Sequence, residues 1–419
     1  MTGTDRLLGR LTAALDREDA LALFRSAIQR ESITGNEANV VALLRDEMHA
    51  RNIDGISVAD FLPGRPNIWG ERKGAGDGPR LLFIGHTDTV HVDGWREHWA
   101  GTEREDPFAA AVVDGQVWGR GSGDLKAGIC SSLAALSLLD RAGIRLKGDV
   151  AFAFVGDEES GQTGTGISLG VKAYTALIEE GTVSRPDFTI YVEPTQLAVY
   201  TAQIGFFIAD IEITGKSAYF GVPELGKDAL KASHAAMSAL WDYSDSVAAR
   251  ASHDLVGHGF LLITGLSGGG FIAVPEECKL SLIRKLLPGE SLDEAVAELE
   301  GVIRGAIKDP EISVDISYPA GRDHRVGGSA AEIDPALPEV ELLSRSVDEA
   351  MAGRGAIAGA PFWSESPFFV NRLGVPAVYC APGDIRNCHT FEERVDIEEY
   401  FAGIVAFAAF MARYCGVVE

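Results

Sequence analysis

Three short polar segments each stand beside an apolar run of strand length, and this constrains the fold of the chain more than any other feature. They are Gly85-His86-Thr87-Asp88-Thr89-Val90 after the run at 81–84, Gly121-Ser122-Gly123-Asp124-Leu125-Lys126 after 112–118, and Gly156-Asp157-Glu158-Glu159-Ser160-Gly161 after 150–155. Polar residues at successive strand ends, separated by helical stretches, are how an α/β sheet gathers side chains into one crevice. A histidine, an aspartate and a glutamate pair meeting there can hold metal and still spare a carboxylate for proton transfer. That is the outline of a two-metal hydrolase.

A chain of 419 residues exceeds one ordinary core and implies two domains, or one domain carrying a large insertion. Helix–strand alternation supports the second form. Helices are predicted over 20–30, 36–51, 125–142 and 165–180, and strands over 81–84, 149–155 and 187–192. Near Thr201 the texture changes. Residues 205–214 alternate, with Phe207, Ala209, Ile211 and Ile213 on one face, and are followed by helix 226–243, strands 259–266 and 279–287, helix 292–307 and strand 311–317. This order is ferredoxin-like. The α/β pattern resumes with a helix from Pro338 to about 352, a strand at 377–380 and a helix at 397–414. The expected division is 1–199, 200–320 and 321–419, a catalytic domain interrupted by a smaller one.

A net charge of −24 argues against nucleic acid or an anionic membrane as partner. No apolar stretch approaches the roughly 18 residues of a membrane span. Residues 1–30 read as an amphipathic helix without the basic start, apolar middle and small-residue cleavage site of a secretory signal. The five cysteines, Cys130, Cys278, Cys380, Cys388 and Cys415, show no C-x-x-C spacing and fit reduced thiols in a cytoplasmic protein.

His86 and Asp88 stand two apart past a strand, so an extended backbone projects both to one side. Asp124 follows a glycine-rich turn, but that turn lacks the G-K-[ST] ending of a phosphate loop and delivers a carboxylate instead. Glu158 and Glu159 follow a buried strand, Glu193 repeats that pattern after 189–192, and His389 closes the set from the far end of the chain.

Together, in order and spacing, these residues resemble the M20 family of dinuclear zinc amidohydrolases and peptidases, over nearly the whole chain. The resemblance implies a zinc-exopeptidase-like α/β catalytic domain with an inserted ferredoxin-like α+β lid that dimerises. It implies that His86 and Glu193 bind one zinc, that Glu159 and His389 bind the other, and that Asp124 bridges them. Glu158 is then the general base and Asp88 orients His86. The family also carries a cis peptide after the bridging aspartate, here Asp124-Leu125. Cobalt or manganese would suit the same donors. The implied substrate is an N-acyl-amino acid or related small amide, cleaved by a homodimer; a dipeptidase or carboxypeptidase on the same site, or a silent homologue binding amino-acid derivatives, are the rival readings.

The chain departs from the family in three places. Where relatives carry a lid histidine that steadies the oxyanion, this sequence has Tyr219, a phenol that donates a hydrogen bond but carries no charge. His234, His253 and His258 are alternative donors. Ile272 and Ala273 stand where relatives show an asparagine, leaving Arg284 as a candidate clamp for a substrate carboxylate. Trp363, in Phe362-Trp363-Ser364-Glu365-Ser366, replaces a small residue and either lines the site or belongs to the core.

Overall fold

In the computed structural model, which describes residues 3–159 and 164–418, the apolar run at 81–84 becomes the middle of a parallel sheet. Ser160 and Gly161 of the third motif, and Met1 and Thr2 of the first helix, lie outside the described residues. The chain divides into two units. One comprises Met1–Thr201, Ile333–Gly359 and Phe368–Glu419; the other comprises Ala202–Glu332 and Ala360–Pro367.

In the first unit, Leu81–His86 pairs in parallel with Val150–Val155 on one side and Phe188–Tyr191 on the other, and Ala377–Tyr379 extends the parallel run. All residues of the first three strands are buried, which is why they read as continuous apolar runs rather than alternating ones. The outer edge is an antiparallel hairpin, Asp54–Leu62 with Arg65–Arg72, that the sequence reading missed. Most residues of its outer strand face solvent, so no apolar pattern marks it. The expected single helix over 1–30 is two, Gly3–Ala14 and Arg17–Ile28. Asp16 separates them and caps the second by accepting from the Asp19 amide at 3.0 Å.

The run at 112–118 is not a strand of the main sheet. It folds into Ala111–Val113 and Gln116–Trp118, and Arg394–Asp396 joins them from the far end of the chain as a small three-stranded sheet. Asp124 therefore reaches the crevice from a satellite sheet, on a turn that leads into helix Ala127–Arg141. Gly128 lets that helix seat closely on the main sheet: a Cβ there would lie 2.2 Å from the Val192 carbonyl oxygen. Helix Ile397–Tyr414, buried on nearly every side, packs against Ala127–Arg141 and Pro338–Ala350.

The second unit runs strand Gly205–Thr214, helix Ala229–Arg250, strands Phe260–Gly268 and Glu277–Leu286, helix Leu292–Ala306 and strand Ser313–Ser317. Its antiparallel sheet orders them as Phe260–Gly268, Glu277–Leu286, Gly205–Thr214, Ser313–Ser317, the ferredoxin-like arrangement. Phe207, Ala209, Ile211 and Ile213 form the buried face together with both helices. This unit extends past Pro319 to Glu332 because Gly327–Gly328 returns to pair with Phe207 and Phe206.

Candidate metal centre and active site

His86 is the last residue of its strand, Glu158 and Glu159 lie just beyond Val150–Val155, and Glu193 lies just beyond Phe188–Tyr191. Three neighbouring parallel strands thus deliver them at their carboxyl ends, where such sheets form their crevice. Asp124 and His389 arrive from the satellite-sheet side, and all of these residues belong to the first unit.

The carboxylate of Asp124 stands between two imidazoles. Its Oδ1 is 2.9 Å from His86 Nε2 and its Oδ2 is 3.1 Å from His389 Nε2. His86 Nε2 also lies 3.7 Å from Glu193 Oε1, and His389 Nε2 lies 2.8 Å from Glu159 Oε1. His86, Asp124 and Glu159 offer ligand atoms that all fall within 4.8 Å of one another. The peptide between Asp124 and Leu125 is cis.

The donor set fits divalent metal. Three carboxylates surround two imidazoles in a buried crevice, an excess of negative charge that calls for cations. Burial alone would pull the His86 pKa down, but hydrogen bonding to Asp124 and the charge of Glu193 hold it well above the ordinary value. His389 follows the same logic, with Asp124 and Glu159 overcoming burial and raising it to about 11. Burial would raise Asp124, yet its bonds to His389 and His86 hold it far below the usual carboxylate range. His/carboxylate sites of this composition suit zinc, cobalt or manganese.

Asp88 does something different from its expected task. His86 Nδ1 meets the backbone carbonyl of Asp88 at 2.9 Å, whereas the carboxylate is 3.8 Å away. That carboxylate instead accepts from the Glu158 amide at 3.3 Å and the Glu159 amide at 3.0 Å. It also accepts from the Thr34 hydroxyl at 3.1 Å. Asp88 therefore fixes the histidine through its main chain and the glutamate turn through its side chain. Burial is the main reason its pKa rises to about 7. Glu158 is half-buried, and its charge is near enough to act on both His86 and Glu159.

Several contributors carried no signal of function in the sequence. Arg65 joins two fully buried carboxylates, donating Nε to Glu37 and Nη1 to Asp157 at 2.9 Å. Asp157 in turn accepts from the amides of Gly166, Ile167 and Leu169, which fixes the start of helix Leu169–Glu179 beside it. Glu393, four residues beyond His389, is buried against the Asp124 turn. Only its place beside Glu392, echoing the Glu158–Glu159 pair, hinted at it.

The three remaining candidates lie in the second unit. Tyr219 is 61% exposed, with its ring against Phe220. Arg284 is only 1% exposed and its Nη2 is bound to Glu290 at 2.6 Å, so it is a buried ion pair rather than an open clamp. Trp363 donates Nε1 to the Ser329 carbonyl at 3.0 Å and packs its ring on Phe206, which commits it to packing within its own unit. His253 and His258 are likewise engaged, the first by Glu332 and the second by the Ala248 carbonyl.

A sequence profile of peptidase family M20/M25/M40 matches residues 82–413. Over 427 aligned residues, 98% of this chain and 100% of the relative, the chain is 26% identical to a succinyl-diaminopimelate desuccinylase of Gluconacetobacter diazotrophicus. It is also 26% identical, over 85% of this chain and 84% of the relative, to an N-formyl-4-amino-5-aminomethyl-2-methylpyrimidine deformylase of Bacillus subtilis. Among solved structures it is similar to an M20 family metallo-carboxypeptidase of Sulfolobus solfataricus, with a TM-score of 0.74. That match covers 96% of this chain and 100% of the other at 16% identity, a likeness of fold. The profile match takes in every residue that converges on Asp124, from His86 to His389, and from this agreement the chain belongs to peptidase family M20/M25/M40 and is a metal-dependent amidohydrolase.

Proposed function

We propose that the chain is a dinuclear-metal deacylase that cleaves the amide bond of an N-acyl-amino acid or related small amide. One observation carries the reading: a single carboxylate, Asp124, faces two imidazoles, each with a further carboxylate, while Glu158 stands beside them. His86 and Glu193 would hold one metal, His389 and Glu159 the second, with Asp124 shared. When bound, such metals supply the Lewis acidity that lowers the pKa of water and polarises a carbonyl. Glu158 takes the proton from the attacking water on a carboxylate oxygen and returns it to the departing nitrogen. Asp88 holds the Glu158 and Glu159 amides, so the proton carrier keeps its place as it changes charge. The deacylase names of the two relatives, aligned over most of the chain, favour deacylation over peptide cleavage.

The same reading extends to assembly and location. Strand Phe260–Gly268 is paired on one side only among the described residues, and Phe260, Leu262, Leu266 and nearby Trp241 are exposed. An open, apolar edge of this kind favours a homodimer through the second unit, which sedimentation equilibrium would reject by returning a monomer mass. Five buried free cysteines favour a reducing, cytoplasmic setting. Among the described residues no helix is long and apolar enough to cross a membrane.

The decisive experiment compares wild type with Glu158→Gln after zinc loading, on a panel of N-acyl-amino acids and dipeptides. The variant should keep its metal and lose about 10²–10⁴-fold in kcat. A wild-type chain that binds two metal equivalents yet turns over nothing on the panel would point to a silent homologue.

A further inference from the structure

His389 contributes to the centre under unusual conditions for a ligand. Its side chain is 52% exposed and its backbone sits at φ 60°, so neither burial nor a regular element holds it in place. Its position is set by its neighbours in the chain: buried Cys388 before it, beside Gly123, and the segment that follows.

The segment that follows is fastened to the site side at several points. The Phe391 carbonyl accepts from Trp99 Nε1 at 2.7 Å, and the Phe391 ring stacks on His98 at 4.8 Å between centroids. Arg394 pairs with Trp118 across the satellite sheet and lays its guanidinium over the same ring at 4.6 Å. Between these anchors lies Glu393, whose carboxylate is 1% exposed. Its Oε1 accepts from two consecutive amides, Gly123 at 3.1 Å and Asp124 at 3.2 Å. Its Oε2 is taken by Arg120, itself buried and set against the Trp95 ring.

We propose that Glu393 is a positioning residue of the metal centre, locking the turn that carries Asp124 to the segment that carries His389. The inference rests on the metal reading above. An ordinary buried ion pair with Arg120 would not require Oε1 to gather both amides of the ligand turn. Here one carboxylate sets the register between two ligands 265 positions apart in the chain, as the difference of 389 and 124 shows. Outer contacts of this type orient ligands and are usually felt as metal affinity.

The test uses Glu393→Gln and Glu393→Ala in the full chain. Glutamine keeps an acceptor for the two amides but turns its NH₂ toward the Arg120 donors, so it disturbs the lock without emptying the site. Competition against a chromophoric chelator should show metal affinity falling about 10–100-fold. The visible spectrum of the Co(II)-loaded protein should shift, and far-UV circular dichroism should stay as in wild type. The double variant Glu393→Gln, Arg120→Gln, in which two amides can pair, should recover part of the affinity. Wild-type affinity and an unchanged Co(II) spectrum in Glu393→Gln, with only a lower melting temperature, would overturn the proposal. If the alanine variant does not fold, the glutamine variant decides. A wild-type chain that takes up no metal would sink the metal reading itself and this role with it.

Discussion

Replacing Arg65 by methionine should remove the one cation that serves two buried carboxylates. Glu37 and Asp157 both have no exposed surface, and Arg65 meets Glu37 through Nε at 3.0 and 3.1 Å and Asp157 through Nη1 at 2.9 Å. Breaking a buried pair by deleting one partner costs about 3–5 kcal/mol, because a charge is left without compensation. Asp157 would keep three backbone amides, whereas Glu37 would keep only the Gly35 amide, so Glu37 is the carboxylate left most exposed to the loss. Urea unfolding followed by tryptophan fluorescence, dominated in the first unit by Trp69, Trp95, Trp99 and Trp118, should show a deficit of about 3–5 kcal/mol. A deficit under about 1 kcal/mol would refute this reasoning.

Two further outcomes follow from the same packing. Gly128→Ala would press a methyl to 2.2 Å from the Val192 carbonyl, so it should cost about 1–3 kcal/mol; because Val192 adjoins Glu193, isothermal titration should also show weaker metal uptake, and an unperturbed variant would mean that the helix can shift freely. Glu71 and Asp149 share Lys73, at 2.8 and 2.9 Å, with Arg80 alongside. Burial pushes both carboxyls up, but for Glu71 the bonds to Lys73 and Arg80, and for Asp149 those to the Gly74 amide and Lys73, bring them below their ordinary values. Their stabilisation is thus present at neutral pH and lost as pH falls through the lowered values. A Glu71→Gln, Asp149→Asn variant should lose less stability than wild type between pH 5 and 3, and parallel loss would count against it.

The sequence was most legible where chemistry and local conformation coincide. His86 ends a buried strand and Glu159 and Glu193 lie just beyond two others, and such strands announce themselves as short apolar runs followed by polar residues. The alternation of Phe207, Ala209, Ile211 and Ile213 likewise gave the buried face of the second unit's sheet. The outer strand Asp54–Leu62 was invisible because an edge strand exposed along most of its length needs no apolar period. Arg284 and Trp363 looked like site residues because charge and aromaticity suggest ligands; Glu290 and Ser329 claim them instead, and neither partner is close by pattern.

By itself, then, the sequence determined most of the elements, their order and the residue types available to metal and proton chemistry, because helix caps, strand runs and glycine turns act over a few residues. Only the tertiary structure decided that Asp124 comes from a satellite sheet, that the Asp88 carboxylate holds the glutamate turn rather than His86, and that Arg65 and Glu393 tie distant segments to the site. Those choices rest on which buried charge meets which donor across 71 to 269 residues of chain, and the folded backbone alone sets that geometry.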